Sequence, residues 1–242
     1  MKKFVLLSIT ILLFAGTRAQ TTNGKVSRKI DISNRPGDHI MIQLSSDHLT
    51  GMPDSISSHQ SGFSRGLNAY IMLDKPFKSN QKYSLGIGLG VGSSNIFFKK
   101  MNVDVKSTTT KLPFAALDST NHFKKYKLSV SYLELPLEFR YSSDPLNSDK
   151  SFKAAIGLKI GTIINAHTKG KELQNKNNSV VNSYTEKESS KTYFNSTRFM
   201  ATARVGYGVF SLFGAFQLNN LLKDGAGAPM KIYQIGITLS GL

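Results

Sequence analysis

Gly62-Phe63-Ser64-Arg65-Gly66 has the G-x-S-x-G spacing that lifts a serine nucleophile onto a sharp strand-to-helix elbow in hydrolases. The elbow needs a helix after the serine. Here Leu67, Ala69, Ile71 and Leu73 follow at every second position, which is strand alternation. The spacing is read as coincidence, and no catalytic residue is assigned. Gly86, Gly88, Gly90 and Gly92 recur every two residues and never give the G-x-G-x-x-G turn of a dinucleotide site. No cofactor and no cofactor-binding residue are expected. His48, His122 and His167, with Asp47 beside the first, all fall near one end of a series of strands. A histidine with a serine or an acid at such a rim could transfer or remove an acyl chain on a lipid. Nothing in the spacing fixes an acid–base pair or a metal-ligand set, so neither an enzyme nor a metal site is expected.

A second constellation is made of charges in an unusual place. Glu134, Glu138, Arg140, Lys159, Arg198 and Arg204 lie on the face of their segments opposite the large apolar residues. Buried charges must pair, because an isolated one costs several kcal/mol, of order 3–5 when a partner is removed. The six are therefore expected to plug an interior as a network. If the connection between Tyr141 and Phe152 is symmetric, Glu134 lies opposite Lys159. A direct ion pair between them is then expected, with Glu138 at the depth of Arg204. A path for protons or solutes is the lesser reading.

These residues need elements to hold them, and period two supplies the elements. From Tyr83 to Ser93 the chain reads YSLGIGLGVGS, so Leu85, Ile87, Leu89 and Val91 share one face and four glycines the other. Glycine weakens a strand unless something approaches that face closely, which fits the cramped lumen of a small barrel with an apolar outside. Eight such segments are expected as strands: His39–His48, Gly62–Asp74, Lys82–Phe97, Tyr126–Tyr141, Phe152–His167, Phe194–Tyr207, Phe210–Asn219 and Met230–Gly241. Within Tyr126–Tyr141 the apolar residues change phase, Leu128, Val130 and Tyr132 against Leu133, Leu135 and Leu137. A bulge is expected near Tyr132-Leu133. The connections Leu49–Ser61, Phe98–Lys125 and Thr168–Tyr193 are long and polar, and Asn220–Pro229 is intermediate. Lys75–Gln81 and Ser142–Ser151 are shorter, and Gly208-Val209 is a tight hairpin turn.

Residues 1–19 read as a secretory signal, with Lys2 and Lys3 before an apolar run and Thr17-Arg18-Ala19 at the cleavage site. Residues 20–38 read as a polar periplasmic lead-in, and 39–242 as the barrel. The apolar run is too short to span a bilayer, which takes about 20 residues. Cysteine is absent, which removes disulfides and thiolate metal sites. Lys and Arg number 31 against 15 Asp and Glu, a formal charge of +16, and the signal accounts for only three of the cations. On an exported chain this excess points to an anionic membrane surface such as lipopolysaccharide, not to nucleic acid. Tyr83, Tyr141, Phe152, Tyr207 and Phe210 at one end of the apolar face, and Phe63, Phe97, Phe199 and Tyr233 nearer the other, form the aromatic girdles of a membrane barrel. Alternating short and long connections complete that pattern and argue against a soluble barrel of lipocalin type.

The segments Gly66–Tyr70, Met72–Pro76 and Gly86–Asn95 resemble the Bacteroidota outer-membrane β-barrel family loosely called PorT-like. So do Tyr132–Arg140 and Leu222–Gly227. The resemblance runs from His39 to the end and implies an architecture, not an activity. The ending Thr238-Leu239-Ser240-Gly241-Leu242 lacks the outward terminal aromatic usual in such barrels, so the insertion signal is atypical. The expectation is an all-β, eight-stranded, antiparallel up-and-down transmembrane barrel in the cell outer membrane. With eight strands, side chains fill the interior. The expected role is structural or interactive and non-enzymatic, with long loops meeting lipopolysaccharide, a surface protein or a secretion complex. The alternatives are a lipid A acyltransferase or deacylase and, third, a narrow channel.

Overall fold

The computed structural model describes residues 39–61 and 63–240. The expected signal and lead-in, together with Gly62 of the G-x-S-x-G run, lie outside the described residues. The strands are β1 (Ile40–Thr50), β2 (Arg65–Pro76), β3 (Tyr83–Phe98), β4 (Met101–Val103), β5 (Phe114–Ala116), β6 (His122–Ser142), β7 (Phe152–Gln174), β8 (Val180–Ser189), β9 (Thr197–Tyr207), β10 (Phe210–Gln217) and β11 (Lys231–Ser240). A single helical turn, α1 (Asp54–Ser57), follows β1. The order β6-β3-β2-β1-β11-β10-β9-β7 closes on itself, because β7 also pairs with β6. Every pairing in this ring of eight is antiparallel. Each of the eight expected segments falls on one ring strand, and β6 and β7 run well past the expected bounds.

The alternation resolves into an apolar outer face. Leu67, Ile71, Leu73, Ile156, Leu212 and Ile235 are each more than half exposed. In water, so many exposed large side chains would oppose folding; against hydrocarbon they are at home. The belt covers only part of the ring strands. A transmembrane strand needs about 9–11 residues, whereas β6 has 21 and β7 has 23.

Beyond the belt, the polarity of the wall inverts. On β6 the outward residues run Tyr141, Phe139, Leu137, Leu135, Leu133, then Ser131, Ser129, Lys127 and Lys125. The inward residues run Arg140, Glu138, Pro136, Glu134, then Tyr132, Val130, Leu128 and Tyr126. The change of phase in the sequence is thus a change of partner for the apolar side chains, not a bulge in β6. The register does shift at this level, between Ser131 and Tyr132. The extra residue, however, is Ile164 on β7, since Ser131 pairs Asn165 while Tyr132 pairs Ile163. The bulge turns β7 over: Lys159 points in below it, and His167, Lys169 and Lys171 point out above it.

Of the three connections expected as long loops, Thr168–Tyr193 is largely sheet and Phe98–Lys125 is partly so. β7 continues to Gln174 and returns as β8, and Phe98–Lys125 contains the β4–β5 hairpin and the start of β6. Val180, Val181 and Tyr184 of β8 stay exposed, whereas apolar residues of the other connections turn inward. Ile56, Val103, Leu112, Phe194, Leu221 and Leu222 join Ile96, Phe98, Leu128, Val130 and Tyr132 in one buried cluster.

Candidate functional site

Below that apolar cap the lumen is filled by charged and amide side chains, together with two small apolar clusters, Met41 with Tyr70 and Met72, and Met200 with Phe213 and Ala215. Glycine on β3 and β7 makes room for the large side chains of β6. A Cβ on Gly86 would lie 2.5 Å from Arg140 Nε, and one on Gly92 would lie 2.5 Å from Glu134 Oε2. This is the close approach that the glycine row implied, caused by charged side chains of β6 at Gly86 and Gly92 and by Met72 and Tyr70 of β2 at Gly88 and Gly90.

Glu134, Glu138, Arg140, Lys159, Arg198 and Arg204 are all buried. Arg198 grips Glu134 Oε1 with two nitrogens, Nε at 3.0 Å and Nη2 closer still. Tyr70 donates its hydroxyl to Glu134 Oε2 at 2.5 Å, and the Arg198 guanidinium lies 4.1 Å from the centre of the Tyr132 ring. Lower down, Glu138 accepts from Arg140 Nε at 2.8 Å and from Arg204 Nη2 at 3.2 Å. Arg140 also lies 3.5 Å from Asp74, which accepts from Ser84 at 2.6 Å. An amide layer completes the filling. Gln234 donates to Asp47 at 2.9 Å, and Asn68 donates to Gln43 at 3.3 Å.

The expected Glu134–Lys159 pair is not the one formed. Ser143 N–H donates to the Phe152 carbonyl at 3.0 Å, and Phe152 N–H donates to the Ser143 hydroxyl at 2.9 Å. The hairpin therefore closes on Ser143 and Phe152 instead of Tyr141 and Phe152. This offsets the partners by two residues, putting Gly161 opposite Glu134 and Pro136 opposite Lys159. Lys159 reaches across the lumen to Gln43 Oε1 at 2.7 Å, with the rings of Tyr70 and Phe213 at 5.0 and 5.6 Å. Sequence spacing placed all six charges on the inner face. The partner of Glu134 depended on a turn geometry that alternation does not encode.

The histidines do not come together as a site. His48 points outward and stacks on Tyr233 with centroids 4.9 Å apart, whereas Asp47 points inward. Adjacent residues of a strand face opposite sides, so the two cannot act as a dyad. His122 is buried and bonded to Asn178 at 3.2 Å, and His167 meets Asn165 at 3.0 Å. Ser64, the serine of the G-x-S-x-G run, is buried within a strand approach and accepts from Phe97 N–H at 3.0 Å. Sequence reading passed over His59, whose Nε2 lies 3.0 Å from Asp118 and ties α1 to the segment after β5. Among the described residues no group of histidines and acids has metal-binding geometry.

The outer wall above the belt is basic. Arg65, Lys125, Lys127, Lys169, Lys171 and Lys187 point outward on neighbouring strands, close to the aromatic rings of Phe63 and Phe97.

A family model described as outer membrane protein beta-barrel domain matches residues 19–222. Among solved structures, the crystal structure of Ail, the attachment invasion locus protein of Yersinia pestis, is similar with a TM-score of 0.32 at 12% identity. That match covers 83% of this chain and 94% of that one. No curated protein matches the chain.

Proposed function

The chain belongs to the outer membrane protein beta-barrel domain family, and from that premise we propose a non-enzymatic, structural or interaction role for this outer-membrane barrel. Its folded outer end would meet lipopolysaccharide, a surface protein or a secretion partner. The observation that carries this reading is the pair of seals across the barrel, an apolar cap above a paired charge network. A conduit would leave one of them open. Side chains facing a lumen at this strand number fill it, so the surfaces left to act are the lipid-facing wall and the capped outer end. The affinity for the PorT-like group within this family is part of the same proposal and rests on the segments Gly66–Pro76, Tyr132–Arg140 and Leu222–Gly227.

Cross-linking on intact cells, followed by purification of the tagged barrel and mass spectrometry, tests the role. Recovery of lipopolysaccharide or one surface or secretion protein, lost on replacing the β7–β8 hairpin tip by a short turn, is the expected result. Lipid A from a deletion strain should keep the parental acylation pattern. A change that the wild-type gene restores and His48→Ala or His167→Ala does not would replace this proposal with lipid modification.

A further inference from the structure

On the outward face, beyond the polar strip that follows the apolar belt, register sets Lys125 opposite Lys171, Lys127 opposite Lys169, and Lys169 opposite Lys187. Directly opposed residues have Cβ atoms about 4.5–5.5 Å apart, and like charges so placed destabilise a sheet. The nearby carboxylates do not offset this row. Glu172 is bonded to Lys124 at 2.8 Å, and Glu186 and Glu188 pair with Gly170 and Thr168 on the opposite face of the sheet. Lys127 is half-buried and donates to Asn95 Oδ1 at 2.6 Å, so its ammonium is held in place. Burial, then Lys169 and Lys187, lower its pKa below the usual lysine value. A sheet that holds five cations this close, against their own repulsion, has the form of an anion site whose anion is supplied from outside.

The surroundings say which anion. Phe97, opposite Lys127 in the register, lies on the outward face of β3 two polar positions, Ser93 and Asn95, beyond Val91 of the belt. Phe97, Lys125, Lys127, Lys169 and Lys171 line a pocket of about 200 Å³. That is room for several waters at about 30 Å³ each, or for one phosphate group with its ester substituent. Below it a polar strip that includes Asn95, Ser129, Ser131 and His167 separates the pocket from the apolar wall that takes acyl chains, so the pocket lies at the level of lipid headgroups.

We propose that these five residues bind a phosphate-bearing headgroup of an outer-leaflet lipid, the ammonium groups on the phosphate and Phe97 against the carbon skeleton of the headgroup. The proposal rests on the reading that the outer end meets membrane lipid, and narrows it to one face of the barrel. The test uses the full mature chain folded in neutral-detergent micelles. Native mass spectrometry reads bound lipid during titration with lipid A, with dephosphorylated lipid A, and with lipid A in the presence of inorganic phosphate. Wild type should retain lipid A in preference to the dephosphorylated form. Lys127→Gln with Lys169→Gln should bind about thirtyfold more weakly, at about 1 kcal/mol per lysine near an anionic surface. Lys75→Gln, at the other rim, should bind as wild type. In lipid-free detergent the double variant should melt higher than wild type, because a repulsion has been removed. Undiminished lipid A binding by the double variant would overturn the site and leave the wider reading standing. No preference for the phosphorylated form by wild type would overturn phosphate recognition. Displacement of lipid A by inorganic phosphate at comparable concentration would overturn a lipid source, and a lower melting temperature would show that the lysines serve the fold.

Discussion

Arg198 is the residue on which the lumen turns. It is almost wholly buried, clamps one oxygen of Glu134 twice and stacks on Tyr132, while Tyr70 holds the other oxygen. Removing one member of a buried pair leaves an uncompensated charge and costs about 3–5 kcal/mol, whereas removing both can be close to neutral. Arg198→Met should therefore lower unfolding stability in micelles strongly, and adding Glu134→Gln should recover most of the loss. Lys159→Met combined with Glu134→Gln should show much weaker coupling, because Lys159 bonds Gln43 instead. Urea titrations of the two double-mutant cycles separate these outcomes; additive losses for Glu134 and Arg198 would mean that they do not act as a pair. The sequence carried the inward placement of all six charges through parity alone. It could not carry the pairing of Glu134 with Arg198 and of Glu138 with Arg204, which joins strands far apart in the chain and hangs on the Ser143 closure of one turn.

At the scale of elements, β7 is where a membrane strand becomes a surface strand. A strand that crosses from lipid to water must move its apolar residues from outside to inside, and two routes are visible. β6 and β3 keep their phase and exchange residue types at the boundary, as where Leu133 gives way to Ser131 outside and Glu134 to Tyr132 inside. β7 inserts Ile164 and flips. The sequence announced the first route as a break in the alternation of Leu128–Leu137, which a single apolar pattern misreads as a bulge. The real bulge left little mark, because Ile163, Ile164 and Ala166 are all apolar.

The flip places His167 outside, above the belt. Burial first, then Lys187, Lys127 and Lys169, lower its pKa below the usual histidine value near 6.5. A base with a folded pKa below its unfolded one binds more protons when unfolded, so stability falls with falling pH. The His167 contribution should be complete above the unfolded value and disappear as pH drops through it toward the folded one. His167→Gln should flatten that part of the curve. Unfolding measured between mildly alkaline and mildly acidic pH checks this, and an unchanged slope in the variant would remove His167 as its source.

The described residues form two cores, the ring and its cap, with opposite polarity. In the membrane part, hydrocarbon is outside and polar groups pair within; in the outer part, water is outside and apolar groups pack within. The same hydrophobic driving force gives both, because it depends only on what lies beyond the wall. Such a molecule should not conduct, and purified wild type in planar bilayers is expected to give no steady current steps; large ones would contradict both seals. The two halves should also fail separately. Phe194 is fully buried in the cap, and its strand bridge to Leu222 ties the segment before β9 to the β10–β11 connection. Truncating a buried Phe to Ala costs about 3–5 kcal/mol in a packed core. That cost should fall on the cap and not on the lipid-bound ring, whose ladder and charge pairs do not include Phe194. Phe194→Ala cells treated with protease should lose the β7–β8 hairpin and the segment between β4 and β5 much faster than wild type. The remaining barrel should still resist detergent at room temperature and still shift on gels only after boiling. Loss of that resistance together with the cap would mean that the two cores fold as one cooperative unit and that the outer half sustains the ring as well as covering it.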